Sequence, residues 1–174
     1  MQKKILLLVA VVVLILGGGW YIFSAGSTTK APTPAQPSQQ ISIPSSQTVD
    51  YQAAFAIFTN GTFRKFSDPK YHNLSENVYI EADNPNIIKV KKTGIKWGDF
   101  FKTLPMKLTK ECLTTGTGQL FCTGSQGSLK FYLNGKVEPD LLDIEIQNED
   151  RALITFGSED EQQINLQFEK VPHP

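Results

Sequence analysis

The stretch Ile95-Lys-Trp-Gly-Asp-Phe-Phe-Lys-Thr-Leu104 decides the fold class, because its apolar residues follow a helical period within a domain that otherwise reads as strands. Trp97, Phe100, Phe101 and Leu104 fall at positions i, i+3, i+4 and i+7, which places them on one face of a helix. A proline follows directly and would end the helix. We expect this aromatic face to form core; the alternative is an exposed aromatic platform for a ligand.

The segments before and after this helix are predicted to be strands, several of them paired as hairpins. Residues 55–66 hold Asn60-Gly61 between two apolar runs, and residues 129–133 lead into Asn134-Gly135. Asn-Gly suits the two positive-φ positions of a type I′ hairpin turn. Further short strands are expected at 78–82, 86–90, 106–114, 120–123 and 151–156.

The last strand of the domain is predicted from an alternation. Ile164, Leu166 and Phe168 alternate with polar residues, which is typical of a strand with one face in water. The predicted class is therefore α+β, mostly antiparallel β with one or two short helices. Strand, strand, helix and further strands would suit a β-grasp-like arrangement in which the sheet wraps the helix; a β-sandwich is the alternative.

The N-terminus predicts a membrane anchor. Lys3 and Lys4 precede an apolar segment at 5–23, and its 19 residues would span ~28 Å as a helix, close to the ~30 Å hydrocarbon core. The positive-inside rule then places the N-terminus in the cytoplasm and the rest outside. The alternative uses the first twelve apolar residues as the core of a cleaved signal, which would release a secreted domain.

The segment 24–49 reads as a flexible tether, since it contains four prolines, a single charge and few large apolar residues. The predicted organisation of the chain is a cytoplasmic N-terminus (1–4), a transmembrane helix (5–23), a disordered linker (24–49), an extracytoplasmic α+β domain (50–171) and a tail (172–174).

The charge of the domain argues against nucleic acid as a partner. Three of the 17 Lys and Arg residues precede position 50, whereas all 17 Asp and Glu residues lie at or after it, so the domain carries a net charge of −3. Nucleic-acid binding depends on clustered Lys and Arg that neutralise phosphates. No basic stripe of this kind is present in the sequence.

Short motifs in the domain resemble a group of small exported or membrane-anchored prokaryotic domains of unknown function. The matching pieces are Asn60-Gly61, Ile87-Ile-Lys-Val90, Gly98-Asp-Phe-Phe101, Leu133-Asn-Gly-Lys136 and Asn148-Glu-Asp150 leading to Phe156-Gly157. The resemblance covers about 100 residues of this chain and implies an exported α+β domain.

One feature of that group is missing. Its members often carry histidines that look capable of binding metal, and the corresponding positions here are Gln52, Ala54, Ile80, Ala82 and Lys89. A metal role therefore does not carry over, and we expect no metal and no other cofactor.

Cys112 and Cys122, the only cysteines, flank the Gly116-Thr-Gly118 turn symmetrically. In a hairpin they would face each other, so outside the cell they are expected to form a structural disulfide. The alternative is a redox-active pair, although such a pair usually has the Cys-X-X-Cys spacing.

Asp68, His72 and Glu76 share one polar loop and form a candidate site. If the loop folded back on itself, these side chains could bind a metal or perform acid–base chemistry; a solvated loop histidine is the more common outcome. The sequence contains no other catalytic motif. The predicted function is thus a membrane-tethered, non-enzymatic binding or interaction module, with cell-envelope proteins or surface polymers as partners. The alternatives are an enzyme or metal-dependent protein using this loop, and a thiol–disulfide protein.

Overall fold

The computed structural model describes residues 46–174, which form ten strands, two α-helices and two 3-10 turns. In chain order these are β1 (Thr48–Thr59), β2 (Thr62–Phe63), a 3-10 turn (Pro69–Tyr71), β3 (Val78–Ile80), β4 (Ile87–Lys92), α1 (Trp97–Thr103), β5 (Lys107–Leu108), β6 (Cys112–Thr114), β7 (Leu120–Cys122), β8 (Ser128–Leu133), β9 (Lys136–Val137), a second 3-10 turn (Leu141–Asp143), β10 (Arg151–Gly157) and α2 (Glu161–Phe168).

The predicted cytoplasmic N-terminus (1–4), transmembrane helix (5–23) and most of the predicted linker (24–49) lie outside the described residues. Within 46–174, no helix combines the length and the hydropathy needed to cross a membrane.

Seven of the described strands form one main sheet in the order β3-β4-β1-β10-β8-β9, with the short β2 also paired to β1. The central strands β1 and β10 run parallel, from the Ala54–Arg151 pair to the Thr59–Phe156 pair. The other pairings of this sheet are antiparallel. The remaining three strands, β5-β6-β7, form a separate antiparallel sheet, called the small sheet below.

The central strands are covered on both faces, and their sequences show why. Residues 53–58 of β1 read Ala-Ala-Phe-Ala-Ile-Phe and are all buried, as are 152–157 of β10. Strands buried on both faces are continuous apolar runs, whereas strands with one wet face alternate. The main sheet is therefore the middle layer of the domain, with a helix on each face.

Helix α1 covers the first face of the sheet with aromatic side chains. Trp97, Phe100, Phe101 and Leu104 are all buried. The ring of Phe55 on β1 meets Phe100 edge-on at 5.3 Å and Phe101 at 5.7 Å between centroids. Large aromatic residues dominate the energetics of such cores.

Helix α2 covers the second face, at residues for which the sequence predicted a strand, and that prediction was wrong. The Asp160 carboxylate accepts a hydrogen bond from the backbone N–H of Gln163 at 2.8 Å, and the Gln163 side chain accepts one from the N–H of Asp160 at 3.0 Å. This reciprocal capping box favours a helix start.

The apolar pattern at the C-terminus is compatible with either structure. Ile164 and Phe168 are both apolar at spacing i, i+4, and Val171 extends the same helical face. Ile164 and Val171 are buried against the sheet, whereas Leu166 is 55% exposed. Ile164 and Phe168 fit both the strand period and the helical period. The alternation of Ile164, Leu166 and Phe168 therefore did not distinguish a strand from a helix.

The α+β class is confirmed, since the described residues contain ten strands and two α-helices. Both Asn-Gly pairs form the predicted turns: φ is 47° and 72° at Asn60 and Gly61, and 52° and 80° at Asn134 and Gly135. The described strands do not form a β-sandwich, because one main sheet lies between two helices.

The edges of the ordered domain differ slightly from the predicted limits of 50 and 171. Strand β1 already begins at Thr48. At the other end, the carbonyl oxygen of Pro172 accepts a hydrogen bond from Nε of Arg151 at 3.1 Å. The predicted tail (172–174) therefore begins with a residue that contacts the sheet.

Candidate functional site

The loop that carries Asp68, His72 and Glu76 uses its polar groups locally. The Asp68 carboxylate accepts a hydrogen bond from the backbone N–H of Lys70 at 3.0 Å and lies 3.4 Å from the ammonium of the same residue. That N–H, and then the ammonium, hold the pKa of Asp68 below its ordinary value.

The other two side chains of the loop do not join Asp68. Nε2 of His72 lies 2.8 Å from the carbonyl oxygen of Phe66, so Nε2 donates this bond. Glu76 is exposed. In the part of the chain that the structure describes, no group of three His, Cys, Asp or Glu residues is arranged to hold a metal.

Four of the five positions that correspond to histidines in the resembling domains lie in the main sheet. Ala54 and Ile80 are fully buried, and Gln52 faces Lys89 across β1 and β4. Residue 82 is an exposed alanine after β3. These residue types offer no metal-binding set at this part of the sheet.

A different site forms where the β1–β2 hairpin, the 68–76 loop and the small sheet meet. We call it the hairpin cleft, a cavity of about 210 Å³. It is lined by three kinds of residue: apolar ones, hydroxyl-bearing or glycine residues, and two cations. These are Ile57, Phe63, Phe66, Met106 and Leu113; Tyr71, Thr115, Gly116 and Thr117; and Arg64 and Lys65.

The floor of the hairpin cleft belongs to the core. Ile57, Phe66 and Leu113 are at most 5% exposed. The ring of Tyr71 packs edge-on against Phe66 at 5.1 Å, so the 3-10 turn is fixed to the floor. The cleft is therefore a preformed apolar recess.

The wall formed by the small sheet requires a glycine. A Cβ on Gly116 would lie 2.6 Å from the hydroxyl oxygen of Tyr71 and 2.9 Å from the carbonyl oxygen of Pro105. Both distances are shorter than a real Cβ contact, so any side chain at Gly116 would displace Tyr71 or fill the cleft. The close approach of these two elements depends on this residue.

The disulfide supports the same wall. Cys112 and Cys122 are cross-strand partners on β6 and β7 and form a disulfide bond. Leu113, which follows the first cysteine, is buried in the floor of the cleft. The disulfide ties β6 to β7 next to the residues that line the site.

The polar groups of the hairpin cleft are cations and hydroxyls. Nε of Arg64 donates to Oγ1 of Thr59 at 2.6 Å, and Nη1 donates to Oε1 of Gln119 at 3.2 Å. The guanidinium carbon lies 5.2 Å from the ring centroid of Phe121. The hydroxyls of Thr115 and Thr117 are 3.0 Å apart.

Two larger cavities flank β8 and β9, but their cations are already paired. One, of about 300 Å³, lies between this hairpin and α2; there the ammonium of Lys130 is 3.6 Å from the Glu159 carboxylate. Partial burial, followed by Glu159 and Glu161, raises the pKa of Tyr132 in its wall.

The other cavity, of about 350 Å³, contains Lys110, which lies 2.5 Å from the Asp140 carboxylate and 2.8 Å from that of Asp143. The lysines of both cavities are thus already paired with carboxylates of the chain, so neither cavity is the preferred site.

The hairpin cleft suits binding better than catalysis. Its lining contains no His, Cys, Asp or Glu, so it offers no carboxylate pair and no thiol or imidazole. An apolar recess with a few polar groups is typical of a binding pocket.

The cleft residues were missed by sequence reasoning, with one partial exception. Tyr71 lies in the loop that the sequence indicated as a candidate site, but the residue predicted there was its neighbour His72. Arg64 and Lys65 had a signal, since they are adjacent cations just after the Asn60-Gly61 turn in an acidic domain. Met106 and Gly116 had none, because their role depends on contacts between distant segments.

Comparison of the chain with protein-family models, with curated proteins and with solved structures gives no match.

Proposed function

We propose that this protein is a membrane-tethered extracytoplasmic binding module and that the hairpin cleft is its ligand site. The observation that carries the proposal is a preformed apolar recess with cationic and hydroxyl groups but no catalytic set. Partners are cell-envelope proteins or surface polymers. We also propose that the chain is related to the small exported or membrane-anchored prokaryotic domains that it resembles.

The tether rests on the sequence. The apolar segment 5–23 has the length of a single membrane span, and the two lysines before it favour a cytoplasmic N-terminus. The Cys112–Cys122 disulfide supports an extracytoplasmic domain, because disulfides persist in oxidising compartments.

We also interpret the fold as β-grasp-like. The strand order β4-β1-β10-β8-β9 has a parallel central pair, and α1 connects the strands of its two halves across one face. In that arrangement, β1 runs from the tether toward the cleft.

The cleft lies at the end of β1 that is opposite to the start of the strand. The linker enters the domain at Thr48, whereas Ile57 of the cleft and the Asn60-Gly61 turn lie at the other end of the strand. At ~3.3 Å per residue, the twelve residues of β1 span roughly 35 Å.

The binding site is tested with benzyl alcohol, a neutral ring of the right size, on the full chain in lipid nanodiscs. We expect amide shift changes at residues 63–66 and 115–117. The substitution Gly116→Ala should abolish them by crowding Tyr71, while Gly124→Ala, where a Cβ meets only one atom at 3.9 Å, serves as the matched control. Unchanged cleft amides in the native chain would reject the site.

The tether is tested by the mass of the detergent-extracted protein. An intact N-terminus together with a protease-accessible domain on the outside of cells supports the anchor. A mature chain that begins near Trp20 would instead support the secreted alternative.

A further inference from the structure

The charges around the hairpin cleft differ from those of the domain as a whole. The domain from Asp50 onward carries 14 basic and 17 acidic residues, a net of −3. The lining of the cleft, in contrast, contains Arg64 and Lys65 and no acidic residue. A cationic recess in an acidic domain selects for a ligand of opposite charge.

The cation that is better fixed is Arg64. Its hydrogen-bond partners, Thr59 and Gln119, are neutral, so they orient the guanidinium without cancelling its charge. Among the described residues, no carboxylate oxygen lies within 4.0 Å of Arg64 or Lys65. Lys110 and Lys130, which line the two larger cavities, are both paired with carboxylates.

The remaining polar groups of the cleft are hydroxyls, which can donate to an anion. Tyr71 contributes its hydroxyl next to Gly116, and the bonded hydroxyls of Thr115 and Thr117 leave one further O–H donor. An arginine guanidinium keeps donors free after two bonds, because it has five. The apolar floor below them would contact the uncharged part of the ligand.

We propose that the hairpin cleft binds a small organic carboxylate whose apolar body is a single ring or a short branched chain. The inference rests on the proposed binding function and names the chemical group that a cell-envelope protein or surface polymer would present to the cleft. The body sits on Phe66 and Leu113, and the carboxylate lies at the rim against Arg64 and Lys65. The volume of about 210 Å³ limits the ligand to a small body, since pockets for drug-sized ligands have volumes of ~300–1,000 Å³.

The test compares phenylacetate with phenylacetamide, which has the same shape without the charge. Both are titrated into the ¹⁵N-labelled full chain in nanodiscs, with empty nanodiscs as the partition control. We expect cleft amides to respond to both probes and the carboxylate to bind about five- to tenfold more tightly, as expected for a charge-assisted hydrogen bond. The preference should fall at 0.5 M salt.

Two variants locate the charge that gives the preference. Arg64→Gln should reduce it to about twofold or less while benzyl alcohol still binds. Lys92→Gln removes the same charge at the opposite end of β1, where Lys92 pairs with Thr48, and should leave the preference unchanged. Lys65→Gln, at an exposed residue, should lower the preference for the carboxylate by a smaller factor. This variant keeps the test valid if the Arg64 variant does not fold.

The possible results separate the two proposals. Equal affinity of the two probes at the cleft would overturn the carboxylate inference and leave the binding function standing. A preference that survives Arg64→Gln and Lys65→Gln would also overturn it, because the charge would then act elsewhere. No response of the cleft amides to any probe would reject both the ligand class and the site.

Discussion

The two faces of the main sheet are covered by helices of similar length, seven residues in α1 and eight in α2, but the cores beneath them differ. Beneath α1, Phe55 meets the rings of Phe100 and Phe101. Beneath α2, Ile164 packs in one cluster with the small side chains of Ala54 and Ala56. The first face is stabilised by a cluster of 20 buried residues rich in aromatic rings, whereas the cluster on the second face has seven, two of them alanines.

The α2 face relies on local contacts instead. Its start is fixed by the Asp160 capping box. Its end is fixed by Arg151, whose guanidinium donates to the carbonyl oxygens of Phe168, Val171 and Pro172. Helices of similar length can therefore contribute unequally to stability. Four experiments test whether the two faces differ in this way.

The largest effect is expected from Phe100→Ala. The side chain is fully buried, and its removal leaves a cavity, so the free energy of unfolding should fall by ~3–5 kcal/mol. Chemical denaturation of the full chain, followed by near-UV circular dichroism, measures this. Ile164→Ala on the other face is the comparison; if it is as costly as Phe100→Ala, the two faces do not differ in packing.

The next effect concerns the small sheet, which is attached to the α1 face through the buried Leu113. Replacing Cys112 and Cys122 by alanine should cost ~2–3 kcal/mol, the chain-entropy value for a loop of this size. A reductant should destabilise the native chain by the same amount and leave the double variant unchanged. A chain that is insensitive to both changes would show that packing alone holds the small sheet.

A smaller and more local effect is expected at the start of α2. Asp160→Ala removes the carboxylate that accepts the N–H of Gln163 and should cost ~1 kcal/mol. Asp160→Asn is the matched control, because asparagine caps helices about as well. Amide hydrogen exchange should rise within 161–168 for the alanine variant alone. Faster exchange throughout the sheet would mean that α2 is not a separate layer.

The same contrast explains which helix could be predicted from the sequence. Trp97, Phe100, Phe101 and Leu104 follow one period only, so the pattern was sufficient for α1. Ile164, Leu166 and Phe168 satisfy the strand period, while Ile164 and Phe168 also satisfy the helical one. The hydrogen bonds between Asp160 and Gln163 favour the helix over the strand. The two residues of this capping box are visible in the sequence, but the alternation was given more weight.

The candidate site was less accessible to sequence reasoning than the fold. The Asn60-Gly61 turn and the cysteine pair were located because each is a local pattern. The cleft between them depends on segments about 50 residues apart in sequence, such as Arg64 and Gln119. No local period records that contact, and the loop histidine attracted attention because titratable residues are easier to recognise than an apolar recess.

The smallest effect is a pH dependence limited to the α1 side. The Lys110 ammonium, through a hydrogen bond and then its charge, lowers the pKa of Asp143, and the hydrogen bond that Lys110 donates to Asp140 is the main cause of the raised pKa of Lys110. The contribution of Asp143 to stability is therefore present above its unfolded pKa of about 4 and is lost as the pH falls through the lower folded value. All three groups are on the surface, so the effect is small.

This pH dependence should also distinguish the two faces. The pair joins the small sheet to the 3-10 turn Leu141–Asp143, whose backbone approaches α1, and it has no contact with α2. Asp143→Asn should therefore flatten the acid limb of stability below about pH 4 and change hydrogen exchange in α1, not in α2. Asp83→Asn, at an exposed residue without an ion pair among the described residues, is the control. An equal response in both helices would show that the sheet transmits acid destabilisation from one face to the other, and the two faces would then form a single cooperative unit.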